Sequence, residues 1–114
     1  MLNIDRLKME VKGITLTNEE WDMYLLESGL ISDEYYQPNN HNNKKQLLTA
    51  ALSILESIAN NPQSMKDYVI DDMTVSQFHE NLMARIDQLE NKINNIVIEN
   101  ESNMISSTFM LYND

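Results

Sequence analysis

The residues of this chain whose types could support chemistry are two histidines and one pair of adjacent aspartates. A zinc site on a helix needs a second histidine about one turn away, and no histidine follows His79-Glu80 at that spacing. His41 has no ligand partner at such a spacing either. We therefore interpret His79 as a residue on the flank of a helix and His41 as a solvated loop residue.

Asp71 and Asp72 resemble the paired carboxylates of acid–base catalysts, but they lie just before a predicted helix start, where negative charge is favourable. Gly13 and Gly29, the only glycines, both fall at predicted helix ends, so the chain has no glycine-rich phosphate loop. It also has no cysteine and no serine in a nucleophile elbow. The sequence accordingly predicts a protein that is not an enzyme and that binds no metal and no cofactor.

The charge of the chain narrows the classes of partner. Eighteen acidic residues against eight basic ones give a net charge of −10, whereas binding along a phosphate backbone needs clustered lysine and arginine. With 42% hydrophobic residues and no apolar run of membrane-spanning length, we predict a globular protein without a membrane segment. Charged residues interrupt Met1–Gly13, so this segment does not resemble an export signal, and we expect an intracellular protein.

The pattern of helix starts and stops predicts an all-α fold, a small bundle of about four helices with a long C-terminal helix and an extended C-terminal arm. The first helix lies within Ile4–Val11 and ends at Gly13. The second begins at Thr17, whose hydroxyl forms a capping box with Glu20, and ends at Gly29. We therefore place two short helices before residue 30.

The third predicted helix, Lys44–Asn60, is apolar around much of its girth. It follows a polar loop in which Tyr35 and Tyr36 are the residues expected to anchor the loop, either to this domain or to a neighbour. Pro62 is interpreted as the stop of this helix. So broad an apolar surface is typical of a helix at the centre of a bundle or between subunits. Its two apolar stripes consist of Leu48, Ala51, Leu52, Leu55, Ile58 and Ala59, and of Leu47, Ala50 and Ile54.

The last helix begins at a second capping box, Thr74–Gln77, and carries one apolar seam over about 24 residues. The seam drifts with a period nearer 3.6 than 3.5, which favours packing within a bundle over a coiled coil. We place the helical domain at 1–98 and a C-terminal arm at 99–114, with Thr108–Tyr112 extended. The arm either packs on its own bundle or docks on another chain. The seam residues are Val75, Phe78, Leu82, Ile86, Leu89, Ile93 and Ile96.

Two segments carry a family resemblance. The order of the helical segments LKMEVKGITLTNEEWDMYLLESG and KKQLLTAALSILESIAN, followed by a long helix and a tail, resembles the small head–tail connector (adaptor or head-completion) proteins of tailed bacteriophages. The resemblance covers about Leu2 to Ile96 and depends on helix order and pattern, while the tail after Glu99 matches no motif. It implies a ring of identical subunits at the head–tail junction of the virion, assembled in the host cytoplasm, through which DNA passes without specific binding.

The resemblance also implies roles for the remaining apolar residues. Leu47, Ala50 and Ile54, with Tyr35 and Tyr36, would form the subunit interface, because we expect a single copy to be too small to cover all of its apolar helical surface. The segment Phe109, Met110, Leu111 and Tyr112 would dock on the portal protein or on an adjacent ring protein, and tail or stopper proteins would be further partners of the ring. The alternative is a non-viral helical module for oligomerisation or interaction that uses the same faces.

Overall fold

Five α-helices make up the described part of the chain. The computed structural model describes residues 1–69 and 72–112, with side chains described as far as Val97. These residues confirm the predicted all-α bundle, with five helices in place of about four and without a strand. In chain order the helices are α1 (Asn3–Glu10), α2 (Asn18–Glu27), α3 (His41–Ala59), α4 (Pro62–Tyr68) and α5 (Val75–Tyr112).

The helix starts predicted from capping boxes are confirmed. The Thr17 hydroxyl accepts a hydrogen bond from the Glu20 amide at 3.2 Å, and the Glu20 carboxylate accepts one from the Thr17 amide at 3.0 Å. The same reciprocal pair joins Thr74 and Gln77 at 3.0 and 2.9 Å. Each box satisfies two amides that the first helical turn leaves without a partner, so the starts of α2 and α5 are fixed by local sequence.

The end of α2 also follows from local sequence. Gly29 adopts a φ of 93°, in the left-handed region that a side chain disfavours. This conformation lets the Leu30 amide donate to the Leu25 carbonyl at 2.8 Å and the Gly29 amide donate to the Leu26 carbonyl at 3.0 Å. These two bonds form the Schellman motif that Gly29 predicts, and they turn the chain away from α2.

Helix α4 is absent from the sequence prediction, in which the Asn-Pro pair is only a stop. The Asn61 side chain accepts hydrogen bonds from the amides of Gln63 and Ser64 at 3.0 and 3.2 Å, and Pro62 occupies the first helical position. Proline is favoured there because its missing N–H would have no helical partner. The pair therefore ends α3 and starts α4. Tyr68, at the end of α4, stacks on Phe78 with ring centroids 6.3 Å apart, which ties α4 to α5.

Helix α3 lies at the centre of the bundle and contacts α1, α2, α4 and α5. Helix α2 packs against α1 and α3, and its backbone does not approach that of α5 among the described residues. Every residue of the seam on α5 is buried or packed against the core. The largest fully buried apolar side chains are Leu7, Leu25, Leu47, Leu48, Ile54 and Leu89.

Two buried asparagines hold the loop between α2 and α3 against α1. The Asn3 side chain donates to the Ile31 carbonyl at 2.9 Å, and the Asn43 side-chain oxygen accepts from the Gln37 amide at 2.7 Å. The two side chains contact each other at 3.4 Å. The backbone of the loop also pairs with the chain start, since the Tyr36 amide donates to the Met1 carbonyl at 2.9 Å. The loop is therefore held to the bundle mainly by backbone groups and amide side chains.

Helix α5 is longer than the sequence predicted. Its backbone is helical through Tyr112, so the extended conformation predicted for Thr108–Tyr112 is wrong. No glycine or proline follows Pro62, and nothing after Val75 therefore provides a strong helix stop. At 1.5 Å per residue α5 is about 57 Å long and α3 about 28 Å, so roughly half of α5 extends beyond α3. The molecule accordingly measures 64 Å along its longest axis and 30 and 19 Å along the others.

Candidate interaction surfaces

The predicted subunit interface on α3 is wrong for three of its residues. Leu47, Ala50 and Ile54 expose 0%, 1% and 1% of their surface in a single copy. Four other helices surround α3, so both of its apolar stripes are covered within one chain. A buried side chain has no surface to offer a neighbouring subunit, and these three residues belong to the core.

The two tyrosines of the predicted interface have different environments. Tyr36 is half-buried, and the Arg6 guanidinium lies 5.4 Å from the centroid of its ring, in cation–π geometry. Tyr35 is 73% exposed. Tyr36 therefore anchors the loop to α1, whereas the ring of Tyr35 is accessible and its role in an interface stays a prediction.

The predicted docking segment lies at the end of α5. The backbone of Phe109, Met110, Leu111 and Tyr112 is helical, and their side chains lie outside the described residues, as do residues 113 and 114. The segment lies beyond Ile96, the last buried residue among the described side chains, by up to about 24 Å of helix. Its role in docking stays a prediction.

The histidines and Asp72 lie on the surface of the protein. His41, His79 and Asp72 are all exposed, and Asp71 lies outside the described residues. Among the side chains that the structure describes, no three His, Cys, Asp or Glu residues are grouped so that they could hold a metal ion. In the same residues no helix has the length and apolarity needed to cross a membrane.

One carboxylate at the junction of α1 and α5 holds three basic side chains. Glu10 pairs with Arg6 at 3.1 Å, with Arg85 at 3.0 Å and with Lys92 at 3.8 Å. Burial of the Glu10 carboxyl would raise its pKa, but the hydrogen bond from Arg6 and the charges of all three partners together lower it below the ordinary value of 4.5. The carboxylate therefore stays ionised at neutral pH and links the two helices electrostatically.

Beside this cluster lies a groove with a basic rim, which the sequence did not predict. Two adjoining cavities of about 430 and 370 Å³ share Arg6 and Lys44. The second is lined also by Lys92 and has the buried side chains of Leu48 and Ile96 among its walls. We name this surface, formed by Arg6, Lys44, Lys92, Leu48 and Ile96, the basic groove. Its residues come from α1, α3 and α5, so only the tertiary fold brings them together.

A second surface, on α2 and the loop after it, has the opposite charge. Residues 13–43 contain no lysine and no arginine, and all six of their acidic side chains are exposed. Among these acids lie the exposed side chains of Leu26, which is 63% accessible, and Ile31. A shallow cavity of about 220 Å³ joins them to Asp22 and Asp33. We name the surface formed by Asp22, Leu26, Ile31 and Asp33 the acidic face.

The acidic face has the composition of a protein contact surface. The acidic face combines accessible apolar side chains with a charged rim, which is an arrangement typical of protein interfaces. The signal that could have found this face is the run of residues 13–43 without a basic side chain. Comparisons of this chain with protein-family models, with curated proteins and with solved structures give no match.

Proposed function

We propose that this chain is a structural protein of the head–tail connector (adaptor) type found in tailed bacteriophages, and that it forms a ring below the portal. The observation that carries the proposal is the length of α5, roughly half of which extends beyond the central helix. A bundle that buries its own core needs no such extension for stability. The extension ends in Phe109–Tyr112, and four apolar residues at the end of a helix are suited to docking on a partner.

The charge of the chain agrees with a role around DNA. A net charge of −10 repels the phosphate backbone, so a ring of such subunits would allow DNA to pass without retaining it. In this function the portal protein and a tail or stopper protein are the partners, and the place of the protein is the head–tail junction of the virion. Subunits contact each other through surfaces other than Leu47, Ala50 and Ile54, which are buried in each copy.

Electron microscopy of the purified full chain, alone and with a candidate portal protein from the same genome, tests this function. We expect a ring of this chain on the portal. A chain that ends at residue 98 is the matched variant. We expect it to keep its helical circular dichroism signal but no longer to bind the portal protein. Failure of the full chain to bind the portal, or the absence of portal and capsid genes in its neighbourhood, would contradict the proposal.

The alternative is a non-viral helical interaction module. The acidic face and the basic groove favour it equally, because surfaces of opposite charge on one chain suit self-association in any context. The two functions differ in their partners: a connector needs a portal protein, whereas the alternative needs only copies of itself or another cellular protein. Gene neighbourhood therefore separates them before any binding experiment.

A further inference from the structure

We propose that the acidic face of one copy binds in the basic groove of a second copy. The proposal rests on the proposed function only in taking a second copy of this chain as the partner. It assigns the subunit contact to residues other than Leu47, Ala50 and Ile54, because these three are buried in each copy. The contact would pair Leu26 and Ile31 of one copy with the groove walls, and Asp22 and Asp33 with the groove's basic rim.

Charge is the first argument for this pairing. Arg6, Lys44 and Lys92 outnumber Glu10, the one carboxylate among the described side chains that line the groove, in a chain that has eighteen acidic and eight basic residues in all. The acidic face lies in the stretch of 31 residues, 13–43, that has no lysine or arginine at all. A partner with this face therefore meets attraction at the groove and repulsion over most of the remaining surface, which fixes where it binds.

Apolar complementarity is the second argument. Leu26 and Ile31 are both more than half exposed and both line the cavity of the acidic face. In the basic groove Leu48 and Ile96 expose only 2% and 8% of their surface, but Met1, which lines the adjoining cavity, is 60% exposed and supplies accessible apolar atoms beside the charged rim. An interface with an apolar centre and a charged rim excludes water from its middle while its charges set the orientation. Both halves of such an interface are therefore present on one chain.

The position of the two surfaces determines what the contact would build. The acidic face belongs to α2 and the loop after it, whereas the groove lies between α1, α3 and α5. The two surfaces share no residue, so they do not coincide. A contact between different surfaces of identical copies is heterologous, and repeating it produces a closed ring or an open filament.

Charge reversal in the full chain tests the contact. Lys44→Glu places a carboxylate on the groove rim within the first turns of α3, where negative charge does not harm a helix. Asp33→Lys reverses the acidic face at an exposed loop residue. In sedimentation velocity experiments we expect each variant to associate with itself about tenfold more weakly than the natural chain. Lys66→Glu, an exposed α4 lysine outside the groove, changes the net charge as Lys44→Glu does and should have no such effect.

Mixing the two variants gives the sharpest result. In an equimolar mixture, the carboxylate introduced by Lys44→Glu in one variant would face the ammonium group introduced by Asp33→Lys in the other. The remaining groove and face are natural, so association should return to near the natural strength. Circular dichroism of each variant is the control for folding.

Three outcomes would each overturn the proposal: failure of the mixture to associate, equal weakening by Lys66→Glu, or a natural chain that stays monomeric at about 1 mM. Binding of the portal is a separate measurement. If it fails while the mixture associates, the connector function is lost and this contact stands.

Discussion

Helices α3 and α5 both carry long apolar surfaces, but the two surfaces are covered to different extents within one copy. Helix α3 has 19 residues and is surrounded by the other four helices, so its two apolar stripes are buried in one copy. Helix α5 has 38 residues and buries its seam only as far as Ile96 among the described side chains. An apolar surface that extends around most of a helix therefore does not by itself indicate a subunit contact. The length of a helix relative to its neighbours is the better indicator.

The largest expected effect is at the centre of α3. Leu47→Ala removes a fully buried side chain, and we expect it to lower the free energy of unfolding by about 2–5 kcal/mol because a cavity remains. Leu26→Ala is the matched control, since Leu26 is exposed on α2 and its loss should cost less than about 0.5 kcal/mol. Urea denaturation of both variants measures the difference. Equal losses would show that α3 is not the centre of the fold.

A smaller loss is expected where a polar side chain reaches the core. Asn43→Ala leaves the Gln37 amide without its acceptor and removes the contact with Asn3, which should cost about 1–3 kcal/mol. Asn42 precedes Asn43 in the first turn of α3 but is exposed, so Asn42→Ala is the control and should change stability little. Thermal unfolding of the two variants compares them. A stable Asn43→Ala variant would show that the loop is held by its backbone pairing alone.

The start of α5 depends on its cap. Thr74→Ala removes the hydroxyl that accepts from the Gln77 amide and should lower the free energy of unfolding by about 1 kcal/mol. Thr74→Ser keeps the acceptor and should recover most of this loss. Thr17→Ala makes the equivalent change at α2, and a similar loss is expected there. Chemical denaturation measures all three variants, and an unchanged Thr74→Ala variant would mean that packing alone sets the start of α5.

The smallest expected effect is a pH dependence at Glu10. Because its pKa is lower in the folded protein than its ordinary 4.5, ionised Glu10 stabilises the fold above that pH. The stabilisation is lost as the pH falls from about 4.5 through the folded pKa. Glu10→Gln should therefore cost up to about 1 kcal/mol at pH 7 and progressively less in acid. Unfolding curves between pH 7 and pH 3 measure this convergence. If the difference in free energy of unfolding between the natural chain and Glu10→Gln did not change with pH, the assigned ion pairs would be contradicted.

A double-mutant cycle tests whether Glu10 and Arg85 stabilise the fold through their mutual ion pair. Arg85 is 75 residues from Glu10 in the chain, and their contact joins α1 to α5. Arg85→Gln should cost stability in the natural chain but little further in the Glu10→Gln background, since the partner charge is already gone. Additive losses in the cycle would show that the two side chains act independently.

Local features of the fold were predictable from the sequence, and features that depend on distant residues were not. Thr17, Thr74 and Gly29 act through groups within a few residues, so their patterns determine helix ends. Leu47 illustrates the limit, because periodicity predicts that a face is apolar and does not say what covers it. Lys44 illustrates a second limit of sequence-based prediction, because three helices must pack together before this residue borders the basic groove.

The central claim is that the two parts of the chain have different roles. Residues 1–97 bury their own core, and we expect the rest of α5 to bind a partner. The free energy of unfolding of a chain ending at residue 98, compared with that of the full chain at the same low concentration, tests this division most directly. We predict values that agree within about 0.5 kcal/mol, with equal denaturant slopes, because every described buried residue remains. A loss of several kcal/mol on removing residues 99–114 would contradict this division and assign that segment to the core.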